Sequence, residues 1–600
     1  MTEFKNFTSV HAMLQATVER CRDRAAYRTI VDPVAGRIES VTWGEFDAEV
    51  RRVAKSLVHL GVEPGDKVCV LSYSCYRWAL VDVAVQSIGS CTVGIYQSLL
   101  PKDCRYIVDH SDAVLVFAQD AAQLEKLRQI RDEIPRIRRV VMFSDAPADD
   151  GWVMSFESFL ELGNGVDDAE IDRRIAAVTP DTPAAIVYTS GTTGIPKGAV
   201  LTHDNITFTA ESVLYSVDIV DGDEGMLFLP LAHIFARTCL FTGLIAGSPL
   251  TFARSIETLA DDFKIAHPHW FPSVPRVYEK VYSKIVSGAE AKGGLALAIF
   301  RWACGVGDRV SDCLLAKKPV PALLGLQYSI ATKLVFSKVH EALGGRVRWC
   351  ISGGAPLNPT IGKFFHAAGV LILEGIGMTE NTSFTNVNRF DNYRFGWVGP
   401  TGPGIEQKVA EDGEVLYRGR NVMKEYYKMP AETAETLTPD GWQHTGDLGD
   451  IDDVGFLRIT GRKKDLIITA GGKNIAPSAI EGLLATSKYI SLVCVVGDRR
   501  KFLTALLSLD PANVEAWARA EGIEFSSFAE LSSNPRVVDL IRREIEEKNK
   551  ELASFETIKE FRIVEEFTIE NGLLTPTMKV KRAQAIARYN DVVEGMYRES

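Results

Sequence analysis

Residues 41–118 switch repeatedly between helical and strand-like apolar spacing, and that alternation confines the chain to few folds. VTWGEFDAEVRRVAKSLVHLGV spaces its apolar residues near 3.6 and stops at Gly61, which predicts a helix and its end. A turn at Pro64-Gly65-Asp66 leads to the strand-like KVCVLSY, then the helical WALVDVAVQSIGS, then the strand AVLVFA. Strands separated by helices predict an α/β class, with parallel or mixed sheets covered by helices on both faces. Similar apolar runs recur at 184–187, 226–230, 347–352 and 370–374.

At 600 residues the chain is too long for one compact core, so two or more domains are expected. Its net charge of −11 gives no general basic bias, and no nucleic-acid partner is expected. Ten scattered cysteines form no C-x-x-C pair, which signals neither a zinc site nor a disulfide framework and fits reduced thiols in a cytoplasmic protein. MTEFKNFTSVHAML lacks a basic stretch followed by an apolar core, so no signal peptide is expected. No run reaches the roughly 18 apolar residues of a membrane span. The apolar and aromatic stretch LALAIFRWAC (295–304) is short and interrupted by Arg301. It reads as a buried helix, with a shallow peripheral membrane contact as the alternative.

Residues 276–345 are rich in Ala, Leu, Lys and Arg and read as a helical insertion broken at 317–321. After Gly396 the texture changes to short strands and turns, such as GEVLYRG and DDVGFLRITGR. The charged break GRKKDL (461–466) is the expected hinge between an N-terminal domain (1–460) and a small α+β domain (467–600).

Directly after the apolar run at 184–187 stands YTSGTTGIPKG (188–198). Its glycines let backbone N–H groups turn toward an anion, its hydroxyls add donors, and Lys197 adds charge. It differs from the common P-loop, which needs Ser or Thr after its Gly-Lys; here Lys197 lies between Pro196 and Gly198. The apolar, turn-forming AVLTHDN that follows argues against a plain Ser/Thr/Gly linker.

Six further motifs follow in order: LPLAHIF (229–235), SGGAPL (352–357), EGIGMTE (374–380), GWQHTGD (441–447), ITGRKKDLIITAGGKNIAP (459–477) and LTPTMKVKR (574–582). With the Thr/Gly loop they resemble the adenylate-forming superfamily across nearly the whole chain. The wording is most similar to long-chain fatty-acid–CoA ligases. The resemblance implies a large adenylate-forming domain of mixed sheets flanked by helices, plus a small mobile α+β domain. It implies ATP, Mg²⁺ and coenzyme A as cofactor and co-substrates, and a fatty acid activated through an acyl-adenylate.

Carried over residue by residue, the resemblance assigns the β- and γ-phosphates to Thr189, Ser190, Gly191, Thr192, Thr193, Gly194 and Lys197. It gives the α-phosphate to Thr379 and Mg²⁺ to Glu380, an oxygen ligand suited to a hard cation. Gly353, Gly354, Ala355 and Pro356 would form the adenine-side wall, with Glu374, Gly375, Ile376 and Gly377 beside it. Ile376 departs from the aromatic residue usual there and forgoes ring stacking worth about 1 kcal/mol. Asp447 would hold the ribose and Arg462 the ribose or phosphate. His233 would lie beside the acyl carboxylate, with Phe235 and Arg237 near the mouth of the acyl tunnel. Lys579 would bridge carboxylate and α-phosphate, Lys464 would be the hinge, and Gly471 and Gly472 would admit the pantetheine arm. A fatty acyl-AMP ligase serving a carrier protein, and a non-catalytic acyl-lipid-binding protein, are the alternatives. Monomer and homodimer both remain open.

Overall fold

The computed structural model describes residues 3–189, 195–575 and 577–598. Local signals in the sequence set many of its boundaries. Thr42 caps the helix Trp43–His59 through a reciprocal box with Glu45, and the chain leaves that helix through Gly61 at φ +73°. Tyr76–Ser87 is buried from Trp78 to Ser87, as expected for a helix enclosed between layers.

The structure is mixed α/β, with a large N-terminal domain and a smaller C-terminal one. Two eight-stranded sheets dominate the N-terminal part. One is built around the parallel strands Lys67–Leu71, Cys91–Ile95, Ala113–Ala118 and Arg139–Met142. The other runs from Asn386–Val387 through Leu371–Ile376, Trp349–Ser352 and Trp270–Ser273 to Gly225–Leu227, and onward to Arg37–Thr42. The central strands are buried on both faces, so they read as continuous apolar runs. A four-stranded antiparallel sheet, from Glu406–Val409 to Leu457–Arg462, follows.

The segment read as turn-forming after Lys197 is a strand instead. Lys197–Thr202 pairs antiparallel with Pro183–Thr189, and Thr202 then caps the helix His203–Leu214. Ala199 to Leu201 are apolar and buried, and strand pairing satisfies the backbone groups that a turn would leave open. The Thr/Gly run therefore joins two antiparallel strands. Its residues Ser190, Gly191, Thr192, Thr193 and Gly194 lie outside the described residues.

Residues 276–345 are helical, as expected. Pro275–Lys292 leads into the long helix Gly294–Leu315, a return through Lys317–Pro321, and Ala322–Ala331. Gly307 allows this layer to approach closely, because a Cβ there would lie 2.7 Å from the Ala367 Cβ and 2.8 Å from the Phe336 ring. Among the described residues no helix is long and apolar enough to cross a membrane.

In the C-terminal part Ile490–Val496, Leu503–Leu509 and Ile558–Ile563 form a sheet with its own apolar core. It touches the helical insertion through Lys488–Glu290 (2.5 Å) and through Arg276, which donates to Ser491 at 3.0 Å.

Candidate nucleotide and acyl site

Three parallel strands end side by side, with Ser273, Ser352 and Glu374 in register. The carboxyl ends of such strands are where open α/β sheets hold ligands. The Ser273 and Ser352 hydroxyls are buried there without a partner among the described residues. Beyond Ser352 the chain enters Gly353, where a Cβ would stand 3.3 Å from the Phe235 ring. That contact joins the LPLAHIF and SGGAPL motifs. Gly354, Ala355 and Pro356 follow, exposed. Beyond the third strand, Gly377 passes so close to Ser383 that a Cβ would lie 2.1 Å from its carbonyl carbon. Any side chain at Gly377 would push the Thr379-Glu380 turn away.

Glu374 is 5 % exposed and accepts the Gly396 N–H at 2.9 Å. Burial pushes its carboxyl up to about 7, against the pull of the Gly396 and Leu357 N–H groups. An ordinary glutamate titrates near 4.5, so between these values the folded state holds a proton the unfolded state has released. Stability from this site is present below the lower value and lost as pH rises to the upper one. Glu374→Gln is therefore expected to leave stability unchanged near pH 4.5 and to raise it by about 3 kcal/mol at about pH 8. Denaturant titrations at the two pH values check this; an equal effect at both would assign the change to packing.

Thr379, Glu380 and Asn381 form a short 3₁₀ turn and are buried. Glu380 Oε1 accepts the Tyr426 hydroxyl at 2.5 Å, and Lys197 Nζ lies 5.1 Å from the Tyr426 ring centroid. Tyr426 thus ties the end of the Thr/Gly run to the EGIGMTE motif. Sequence reasoning missed it, because a lone tyrosine in EYY carries no spacing signal. Gln443 was missed for the same reason; it accepts from the Asn381 side-chain amide at 3.1 Å and links GWQHTGD to the same turn. Thr189 lies opposite Lys197 in the strand pair. Ile376 is half-buried and packs on the main core.

Asp447 accepts from Arg462 Nε at 2.6 Å across paired strands. Lys579 belongs to the C-terminal part, yet its charge acts on His233 and is itself acted on by Arg462, Asp447 and Asp465. It keeps contact with solvent while the cleft crowds its ammonium. Desolvation and the Arg462 cation pull its pKa below the usual lysine range, with the two aspartates opposing. The other cation with a fixed partner nearby, Arg582, is held by Glu481 (2.7 Å) and the Val495 carbonyl (2.6 Å). That anchor fixes the segment three residues after Lys579.

His233 caps the helix Ile234–Ala246, its Nδ1 accepting the Phe235 N–H at 3.1 Å. Burial, aided by Lys579, pushes its pKa down to about 4, so the ring is neutral at pH 7. With Nδ1 accepting, the proton sits on Nε2, which is left as a donor.

Arg237, expected near the mouth of the acyl tunnel, is fully buried, with Nε at 3.0 Å and Nη2 at 2.5 Å from the Asp82 carboxylate. A helix buried on all sides leaves a cation nowhere to go but to an acidic partner. Gly471 and Gly472 form a separate turn of the C-terminal part. Its hydrogen bonds run to Thr469, Lys473 and Arg500, and a Cβ at Gly472 would meet nothing within 4 Å. Lys464 is exposed in the turn after Arg462.

Among the described residues no three His, Cys, Asp or Glu side chains group as a metal site. The donors present fit Mg²⁺ in another way: one carboxylate, Glu380, whose partner Tyr426 also lies under Lys197, is the oxygen ligand a hard cation would use.

The AMP-binding enzyme family matches residues 14–427, and the AMP-binding enzyme C-terminal domain matches 464–600. The long-chain-fatty-acid–CoA ligase FadD15 of Mycobacterium bovis is 34% identical over 96% of this chain and 94% of its own. The peroxisomal long chain acyl-CoA synthetase 6 of Arabidopsis thaliana is 33% identical over 95% of this chain and 83% of its own. The adenylation domain of a carboxylic acid reductase from Segniliparus rugosus, solved with AMP and a carboxylic acid, shares the fold. Its TM-score is 0.76 at 20% identity, covering 98% of this chain and 93% of that one. Matched in both its large and its small part, this chain belongs to the AMP-binding enzyme family.

Proposed function

We propose that the chain is a long-chain fatty-acid–CoA ligase of the AMP-forming kind. The observation that carries this reading is identity of 30–34% over nearly the whole chain to relatives bearing that name. The substrates are a fatty acid, ATP and coenzyme A.

A carboxylate oxygen of the fatty acid attacks the α-phosphorus of ATP. The bond to the bridging oxygen breaks and pyrophosphate leaves. The coenzyme A thiol then loses its proton and attacks the acyl carbonyl, and AMP departs. The first step crowds anions around one phosphorus, so fixed donors and cations lower its barrier. Thr189 and Lys197 meet the β- and γ-phosphates, together with residues 190–194 of the same run. Thr379 donates to the α-phosphate. Gly353, Gly354, Ala355, Pro356 and the strand end Glu374–Gly377 form the wall for adenine. Asp447 accepts from the ribose hydroxyls while Arg462 holds its carboxylate. His233 donates from Nε2 to the acyl carboxylate. Lys579 spans carboxylate and α-phosphate as charge builds between them. Glu380 would hold Mg²⁺, which would supply positive charge against the nucleotide's phosphates.

The C-terminal part, 467–600, acts as a mobile domain turning about 461–466, with Lys464 at the pivot. The action of the Lys579 charge on His233, and of Arg462 and Asp447 on Lys579, supports an adenylating arrangement. Rotation would withdraw Lys579 and bring in Gly471 and Gly472, whose bare backbone leaves room for the pantetheine arm.

Purified protein with ATP, Mg²⁺, coenzyme A and fatty acids from short to very long chains tests the reading. Long-chain acyl-CoA, identified by mass, is the expected product. Acyl-AMP accumulating untouched by coenzyme A would make it an acyl-AMP ligase instead, and no pyrophosphate with any acid would remove the reading.

A further inference from the structure

Seven of the nineteen exposed large apolar side chains among the described residues fall between 295 and 334. Four of them, Leu323, Leu326, Ile330 and Leu334, recur at helical spacing along Ala322–Ala331 and the wider π-helical turn Thr332–Phe336 that continues it. Leu323 is 70 % exposed and Leu326 61 %. Ala322–Ala331 contains no charged residue. Its other face already packs: Tyr328 donates to the Ala367 carbonyl at 2.8 Å, and Ala331 and Phe336 are buried. The outer stripe is therefore surplus to the fold. Arg309 reaches across to Gln327 at 3.2 Å, and Gly294–Leu315 packs beside it. Trp302 and Leu314 of Gly294–Leu315 are exposed as well.

The charge around this stripe is opposite to that of the chain. Residues 292–338 carry seven Lys or Arg against two Asp, a net of +5 in a protein of net −11. All seven cations are exposed. None joins an ion pair among the described residues, while Asp312 is neutralised by Lys363 at 2.7 Å. Lys317 and Lys318 sit at the tip of the hairpin, and Lys333 and Lys338 flank the stripe's far end.

From this combination we infer that the hairpin 294–338 docks on the surface of an anionic lipid bilayer. The leucine stripe enters the headgroup–acyl boundary, and the unpaired lysines and arginines meet anionic headgroups. A bare apolar helix face rimmed by cations is the pattern of in-plane membrane contact. A second copy of this chain is a poorer occupant, since a two-fold contact would set the same seven cations against each other. The helix Gly294–Leu315 packs on Pro359–Ala367, which follows the SGGAPL motif directly. The docked face is thus one helix layer from the nucleotide site, where a membrane-borne fatty acid would be used.

Flotation of the full chain with vesicles tests this. With phosphatidylcholine containing about a third phosphatidylglycerol, at near-physiological salt, the protein is expected to float. With phosphatidylcholine alone the bound fraction should fall several-fold, because the electrostatic share is lost. Leu326→Ser/Ile330→Ser/Leu334→Ser should lower partitioning onto anionic vesicles at least tenfold. Lys317→Glu/Lys318→Glu should lower it and flatten its salt dependence. Both variants should keep wild-type turnover on a short, water-soluble acid or on whichever soluble acid the wild type accepts, which shows that they fold. The inference is overturned if wild-type protein stays unbound on anionic vesicles, or if the triple variant binds as tightly. It also falls if sedimentation shows a dimer that the triple variant makes monomeric with no change on vesicles.

Discussion

Lys579→Ala is expected to slow pyrophosphate release from fatty acid and MgATP by about 10²–10³-fold, the usual cost of one preorganised charge at a developing anion. Conversion of supplied acyl-AMP to acyl-CoA should change by no more than a few-fold. The asymmetry follows from geometry. Lys579 is the cation brought from the small domain to Arg462, Asp447 and His233, whereas Arg582 is spent on Glu481 and the Val495 carbonyl. The Lys579 pKa, lowered by desolvation and Arg462, adds a pH signature. As pH rises, adenylation should fail below the pH at which a free lysine loses its proton. Pyrophosphate release and thioester formation, measured separately on one preparation, decide the matter. Equal loss in both would make Lys579 a structural residue of the cleft.

Asp82→Ala should cost about 3–5 kcal/mol of stability, because it strands the Arg237 cation inside the protein. Arg237 is enclosed between two buried helices, 5.4 Å from the Trp78 ring, and its Nη1 already lacks a partner among the described residues. Gln86 donates to the same carboxylate at 2.7 Å, so the loss would orphan that amide too. Asp82→Leu/Arg237→Met should recover most of the stability, since matched apolar groups leave no charge to desolvate. Urea or guanidinium unfolding of the three proteins provides the measurement. A single variant within about 1 kcal/mol of wild type would mean that water reaches the pair. The same geometry speaks against Arg237 swinging as a gate for the acyl chain: any rotation abandons Asp82.

Much of the fold was legible because its signals are local. The capping box of Thr42 and Glu45, the stop at Gly61 and the doubly buried apolar strands each lie within one short window of sequence. AVLTHDN misled because His-Asp-Asn is turn chemistry. Thr202 uses it to start a helix, while the apolar residues before it pair as a strand. Tyr426 and Gln443 stayed hidden because each matters only through a partner far away in the chain, Glu380 and Asn381.

The ordered motifs determined on their own which chemical groups this protein owns: a hydroxyl- and glycine-rich run with Lys197, a carboxylate at Glu380, an aspartate at 447 and a lysine at 579. Composition and periodicity determined the alternating α/β build. Tertiary structure alone decided that Arg582 is held by Glu481, that Arg237 is locked to Asp82, and that a leucine stripe lies bare among unpaired cations. The division has a physical cause. Helices, strands and turns answer to neighbours a few residues away, whereas desolvation and charge pairing answer to whatever the fold brings within a few ångströms.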